Sequence, residues 1–437
     1  MTVPVKYIDV NARSDMFVAA TRAFGTIAIV GRGRTGSPVS EPRAFTDPAD
    51  AVKEYSLPGR TVDDGVLNST TTLTSAKAAF VAADVGRTVS GRGVADKTEI
   101  VSITDGTTVV LSKAATATAN EVSITLGRTP PSDLEAAIAI AFRQSPPPTT
   151  IWGVQVDAAT PGWDDALTAV STLDAQIVLL ANTPLNDANK DTLRKLAAHV
   201  NTVSNTGSDG KERIGVAMLD TKLSAVAAAA LNTGPLSDER MVLIAHKSDE
   251  DAAAALAGVV AGYEPHISLL LKPIRLNQTT AFTDTEIDAF DQGFVNWVTS
   301  PVLLPGRGTY LGEAYTANPS QGNKKYVDVV RTLDDTNFRI KAGLIRSIGN
   351  LRISRSGLRA VETIVESVLS PLVSQHVIED YGITIPLLVL LEKDPASLSA
   401  AELAQIQAAQ ANRNVDMTVT VDYAGAIHRL HIDLVFT

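Results

Sequence analysis

The chain contains no cysteine. That excludes disulfide frameworks, thiolate metal sites and cysteine nucleophiles. It has no excess of positive charge: 38 Lys and Arg stand against 48 Asp and Glu, a net charge of −10. A protein that coats polyanions needs the opposite balance, so direct nucleic-acid binding is not expected. No apolar run approaches the ~18 residues of a membrane span, and no membrane insertion is expected. The first residues, MTVPVKYIDVNARSD, place a proline and charges where a signal peptide needs its apolar stretch. The expectation is a soluble protein made inside a cell. Aromatic residues are scarce at 5% while alanine is abundant, which points to closely packed helices. What is present fits an ordinary folded chain: 437 residues, 45% hydrophobic and 20% charged, enough for two to four domains.

Val3, Val5 and Tyr7 alternate with Thr2, Pro4 and Lys6, the period of a strand with one apolar face. Pro4 cannot donate to a ladder, so this strand belongs at an edge. Residues 1–15 therefore read as an extended N-terminal β-arm. A short apolar strand, TIAIV, follows at 26–30, then a Gly/Pro-rich loop to Pro48. Residues 61–128 change character: they are rich in Thr, Ser, Val and Gly, with Phe80 as their one aromatic, and turn signals such as Asp105-Gly106 separate short β-like runs. The stretch reads as a small all-β domain inserted into something larger. Its few aromatics leave little for sugar stacking, so surface decoration is the plainer role.

From 129 to 282 the pattern is α/β. Strands are expected at 151–156, 177–181, 214–219 and 241–245, with helices at 132–143, 162–173, 186–202, 221–231 and 249–262, which argues for a largely parallel sheet covered by helices. Further helices are expected over 283–300, 334–348 and 356–379, a strand over 325–330, a strand-like run in IPLLVLL, and a helix starting at Ser399. The end of the chain alternates most cleanly. Val415, Met417, Val419, Val421 and Tyr423 share one face, and after Ala424-Gly425 the alternation resumes at Leu430, Ile432, Leu434 and Phe436. Residues 412–437 thus read as strands ending in a C-terminal β-arm. Their own domain can supply the pairing, or a neighbouring subunit can, by strand addition.

Chemistry is hard to find. Gly31-Arg32-Gly33-Arg34-Thr35-Gly36 matches G-x-G-x-x-G after a strand, but Pro38 and Pro42 oppose the helix that a dinucleotide site requires. A structural glycine loop is the better reading. His428 and His431 are three apart on a strand, hence on opposite faces, and do not share an ion easily. There is no H-E-x-x-H, G-x-S-x-G or Walker loop. No catalytic, cofactor-binding or metal-binding residue is expected. One charge feature stands out. Arg339, Lys341, Arg346, Arg352, Arg355 and Arg359 follow one another with no acidic residue between 339 and 359. They form either a solvated helix face or a docking surface for an acidic partner.

Four stretches, taken in order, resemble the contractile-tail sheath family. VPVKYIDVNARS with AATRAFGTIAIVGRGRTGSPVSEPRAFTDPADAVKEY resembles the sheath N-terminus. LPGRGTYLGEAYTANPSQGNKKYVDVVRTLDDTNFRIKAGL and GLRAVETIVESVLSPLVSQHVI resemble its later helices, and residues 415–437 resemble its C-terminal arm. The resemblance covers roughly the first 60 and last 140 residues. It implies an α/β fold (α+β overall): a sheath-like core (16–60 and 283–411) with helices on a mixed sheet, extended N- and C-terminal β-arms, and the inserted β domain on the outer surface. It implies a structural subunit without cofactor or catalysis, forming rings, hexameric in the family, stacked helically around a tail tube protein. Baseplate and tail-terminator proteins are the further implied partners, and the tail of a virion, assembled in the host cytoplasm, is the implied location. On this reading Val3, Val5, Tyr7, Leu430, Ile432, Leu434 and Phe436 contact neighbours, the six basic residues face the tube, and 11–15 and 412–414 are hinges. The competing reading is an α/β enzyme with a ligand crevice at the strand C-termini.

Overall fold

The computed structural model describes residues 24–34, 38–205, 210–224, 234–304, 308–318 and 324–428. The described residues fall into two compact units, one up to Val330 and one from Arg331 onward.

The first unit opens with β1 (Thr26–Arg32), β2 (Pro42–Phe45) and α1 (Pro48–Tyr55). Then come β3 (Arg60–Asn68), β4 (Thr72–Thr74), β5 (Thr88–Gly91), β6 (Thr98–Asp105), β7 (Thr108–Leu111) and β8 (Thr118–Leu126). The remainder is α2 (Asp133–Phe142), β9 (Thr150–Val156), α3 (Trp163–Ser171), β10 (Ile177–Leu180), α4 (Lys190–Asn205), β11 (Ile214–Met218), β12 (Met241–Ala245), α5 (Ala252–Gly262), α6 (Asp284–Gln292), β13 (Asn296–Thr299) and β14 (Tyr310–Leu311). Its main sheet has the order β14-β13-β12-β11-β10-β1-β9-β2. The six inner strands are parallel, and the short edge strands β2 and β14 pair antiparallel. The mixed sheet with helices is therefore as expected. Residues 24–60 and 283–311 supply strands to the same sheet as 129–282.

Alternation explains the layering. Ile27, Ile29, Ile177 and Leu179 face α2 and α5, whereas Ala28, Val30, Val178 and Leu180 face α3 and α4. Strands covered on both faces must be apolar throughout, which is why these runs lack polar residues. Burying each large aliphatic side chain contributes about 1.5–3 kcal/mol. Helix α5 is buried almost all round, and alanine makes that possible. At Gly258 even a methyl group would meet the Ala141 carbonyl of α2 at 2.5 Å.

The inserted domain is a closed barrel, β3-β4-β7-β6-β5-β8, filled by Leu67, Leu73, Phe80, Ile100, Val109, Ile124 and others. Its mounting is tight. Leu57 and Thr129 bond to each other across the two connecting strands, N–H to Oγ1 at 2.9 Å and N–H to carbonyl at 3.1 Å. Buried Arg87 pairs with buried Asp84 at 2.7 Å and donates to the carbonyls of Pro58 and Gly127, both at 2.9 Å. Arg60 takes the second Asp84 oxygen at 2.8 Å. Below them buried Glu135 of α2 accepts from Arg128 at 2.7 Å and from the Ser56 hydroxyl.

In the second unit α7 (Val327–Ile345) carries the chain across from the first. It is followed by α8 (Arg355–Ser374), β15 (Ile378–Thr384), α9 (Pro386–Glu392), α10 (Ala400–Asn412) and β16 (Thr418–Tyr423). Strands β15 and β16 form a two-stranded antiparallel sheet on α8.

Several expected elements are corrected. The helix over 283–300 stops at Gln292, capped by Gly293, and FVNWV turns into β13. The strand expected at 325–330 is the start of α7, because Val327 and Val330, three apart, face one core. IPLLVLL is helix α9, with Pro386 at its first turn, where a missing N–H costs nothing. The helix over 356–379 ends at Ser374; His376 then adopts φ 57° and β15 begins. The helix expected at 221–231 falls largely on 225–233, outside the described residues, as do both arms and the hinge at 11–15.

Two measurements follow. Replacing residues 61–127 with a short Gly/Ser linker leaves the α/β core folded, since closure depends weakly on loop length. Extending that deletion through Arg128 strips buried Glu135 of its cation and is expected to cost about 1–3 kcal/mol more in urea unfolding; equal stability of the two deletions contradicts this.

His199 of α4 is also informative. Burial and the neighbouring Arg213 guanidinium lower it from 6.5 to about 4. The folded chain keeps it neutral where the unfolded chain binds a proton, so its contribution is complete above pH 6.5 and is lost as pH falls toward 4. Urea midpoints across that window are expected to fall less steeply in His199→Gln; an identical slope refutes the assignment.

Candidate assembly site

The described parts of the expected assembly features lie in the second unit. Val415, Met417 and Val419 are half-buried against α8, α9 and α10, while Asp416, Thr418 and Thr420 are exposed. The alternation read from sequence holds from Val415 to Thr420 and fails at Val421, which is 38% exposed. The partner of β16 is β15, in the register Tyr381↔Val421 and Ile383↔Val419. Sequence reading missed β15 because a register shift between Ile378 and Asp380 breaks its alternation. The left-handed residue at His376 marks the end of the helix, but a histidine does not announce it as a glycine would. Among the described residues neither outer edge of this two-stranded sheet has a further strand. Arg413, at φ 52°, caps α10 and turns the chain toward β16. Val3, Val5, Tyr7, Leu430, Ile432, Leu434 and Phe436 lie outside the described residues.

The basic block is not one uniform surface. Carboxylates from outside the 339–359 window reach into it. Arg339 pairs with Asp335 at 2.7 Å along α7. Arg359 is held by Glu362 at 2.8 Å and by Glu392 of α9. These two acids hold its guanidinium above the usual range. Arg355 donates twice to the Leu391 carbonyl, at 2.8 and 3.2 Å, closing the end of α9. Lys341 is half-buried on α7. Arg346 and Arg352 differ. Both are exposed on the turn between α7 and α8, and neither makes an ion pair among the described residues. Beside them Ile345 and Ile348 are 70% and 72% exposed. The turn therefore carries two free cations and two apolar side chains.

At the strand C-termini, several of the described polar side chains bond to one another. A Cβ at Gly33 would lie 2.1 Å from Gln155 Oε1, so that side chain occupies the space a phosphate would need. Gln155 donates to the Arg34 carbonyl at 2.7 Å. The next described element after the glycine loop is β2, not a helix. Asn182 donates its side-chain amide to Asp133 and its backbone N–H to Asp251, both at 2.7 Å. Asp251 caps α5, and burial pushes its carboxyl up. Asp220 accepts from Asn186 and the Lys222 N–H, which lower it. A separate recess of about 590 Å³ is lined by Arg143, Glu250 and Arg275, but Arg143 is already forked onto Glu250 at 2.7 and 2.8 Å. No group of acidic or histidine side chains able to hold a metal occurs among the described residues.

Whole-chain comparison decides the fold. A chain of the extracellular contractile injection system PVC sheath complex, in its contracted state, matches with a TM-score of 0.59 at 14% identity, covering 100% of this chain and 98% of that one. The chain has the sheath fold. A chain of the anti-feeding prophage (AFP) baseplate gives 0.57 at 10% identity, with 100% and 99% covered. A chain of the AFP baseplate in its contracted state gives 0.56 at 10%, with 100% and 98% covered. No family model and no curated protein sequence matches the chain. The sheath fold here thus runs the full length of its solved counterparts, through both compact units.

Proposed function

We propose that this chain is the structural subunit of a contractile tail sheath. It polymerises helically around an inner tube and shortens to drive that tube through a cell envelope. The observation that carries the reading is the full-length match to a chain of a contracted sheath complex. Rings are hexameric on this reading, the tube, baseplate and terminator proteins are partners, and the particle's tail, assembled in the cytoplasm, is the location. Negative-stain electron microscopy of the purified protein tests it: tubular polymers are expected, and a uniform small oligomer contradicts it.

The mechanism needs one subunit with two packings that differ modestly per copy, and connections that persist through the change. Strand addition supplies the connections. The outer edges of β15 and β16, which carry no further strand among the described residues, suit incoming arm strands, and each added hydrogen bond contributes about 0.5–1.5 kcal/mol. Ending the chain after Gly425 leaves β15 and β16 intact, so that variant is expected to fold and stay soluble without polymerising. Removal of residues 2–10 is expected to act likewise. Full sheaths from both truncated proteins refute the arm mechanism; failure of the Gly425 truncation to fold assigns the last strand to its own subunit.

The basic turn faces the tube on this reading, with Arg346 and Arg352 supplying the contact and Arg339, Lys341, Arg355 and Arg359 shaping the helices around it. Exposed pairs of about 0–1 kcal/mol each hold a lattice by number yet release singly. Arg346→Glu with Arg352→Glu is expected to lower tube-templated assembly at least tenfold while the urea midpoint stays unchanged. Unaltered assembly in the double variant overturns the assignment.

A further inference from the structure

The ammonium of Lys325 sits among three rings. Its Nζ is 4.8 Å from the centroid of Tyr315, 5.3 Å from Tyr326 and 5.4 Å from Phe294. The rings brace one another: Tyr315 stacks on Tyr326 at 5.6 Å and 29°, and tilts against Phe294 at 5.6 Å. Tyr315 is 1% exposed and Phe294 7%. The Tyr315 hydroxyl donates to Asp291 of α6 at 2.6 Å, and its backbone N–H donates to Asn296 of β13. The cage walls are thus tied into the first unit's core. No carboxylate pairs with Lys325 among the described residues, so the ring faces supply the negative potential that holds the charge.

The position of this lysine gives the cage its meaning. Two residues later α7 begins, and the chain passes from one compact unit to the other between 330 and 331. Around Lys325 the backbone is clamped as well. The Thr316 N–H donates to the Lys325 carbonyl at 2.8 Å, and the Val327 N–H donates to the Ala314 carbonyl at 3.0 Å. Ala317 donates to Met241 at 2.7 Å, which joins the same strap to β12. We infer that caged Lys325 is the pin that keeps the root of α7 seated in the first unit, so that the crossing into the second unit starts from a fixed point. A plain apolar side chain here would pack against the rings but lose the cation. An arginine would keep it.

The pin acts within one subunit, so its test does not depend on assembly. Amide hydrogen exchange of Thr316 and Val327 is measured in the full-length protein. Lys325→Met is expected to speed exchange at both amides about tenfold, the scale of a half-buried cation–π contact, while amides of β10 and β11 stay unchanged. Lys325→Arg is expected to remain within about threefold of the parent. Equal exchange in parent and Lys325→Met overturns the inference. Equal acceleration in the Met and Arg variants also overturns it, because the charge then does not hold the strap. If Lys325→Met does not fold, Tyr326→Leu takes its place by removing one wall and leaving the lysine: about threefold faster exchange at Val327 supports the pin, and no change refutes it.

Discussion

A backbone N–H or C=O removed from water has to be paired, and the way each sheet meets that demand at its edges orders this molecule. The main sheet ends in two very short antiparallel strands, β2 of four residues, opened by a proline, and β14 of two. Such edges offer an incoming strand little to pair with. The barrel solves the problem by closure. The β15–β16 pair does neither: two strands of six and seven residues stand with both outer edges unmatched among the described residues. A two-stranded sheet is marginal by itself. Here α8 supports one face through Val365, Leu369 and Leu372, and the edges remain as templates. On the proposed function, rigidity and connectivity thus occupy different parts of one chain.

The sequence made some elements legible and hid others for identifiable reasons. Strands β1, β9, β10, β11 and β12 were readable because burial on both faces leaves no choice but a short apolar run. Helix starts were readable where Ser132, Thr283 and Ser399 cap with their side chains, two of them in capping boxes with Glu286 and Glu402. Local pattern failed where it was ambiguous. Seven apolar residues in IPLLVLL fit a buried strand or a helix, and burial of Leu387 and Leu388 beside exposed Val389 reveals the helix only in three dimensions. Strand β15 carries Glu379, Asp380 and Gly382, residues that argue against a strand, and its bulge erases the remaining period.

The candidate surface was legible in outline and misjudged in detail. Counting charges between 339 and 359 found a block without acids, but folding brings Asp335, Glu362 and Glu392 to it from either side. Linear neighbours on a helix reach three and four positions away, beyond any window drawn at the basic residues themselves. What folding leaves uncommitted is the turn, Arg346 and Arg352 with Ile345 and Ile348, and nothing in a linear count separates these two arginines from the other four. The glycine loop shows the reverse case. Prolines correctly spoke against a phosphate-binding helix, and the structure adds a reason no motif encodes, the Gln155 side chain filling the space over Gly33.

On the proposed function, where can a sheath of such subunits store energy? The first unit has little room to deform. Its sheet is covered on both faces, α5 is packed so closely that a methyl group at Gly258 meets backbone, and the barrel stem is fixed by a buried Arg87–Asp84 pair whose rupture would leave a charge without its partner. Close-packed interiors yield in discrete rearrangements rather than by continuous strain. Two lattice packings of the same body must therefore differ in the contacts between bodies and in the connecting segments. The caged Lys325 bounds one connector on its first-unit side, and the left-handed Arg413 marks the start of another. Bending at the first leaves the ladder of β15 and β16 intact, because both strands follow it in the chain; Arg413 lies between them, so a bend there has to be taken up by residues 414–417 before β16 begins. A lattice joined through that ladder can change its packing without first coming apart.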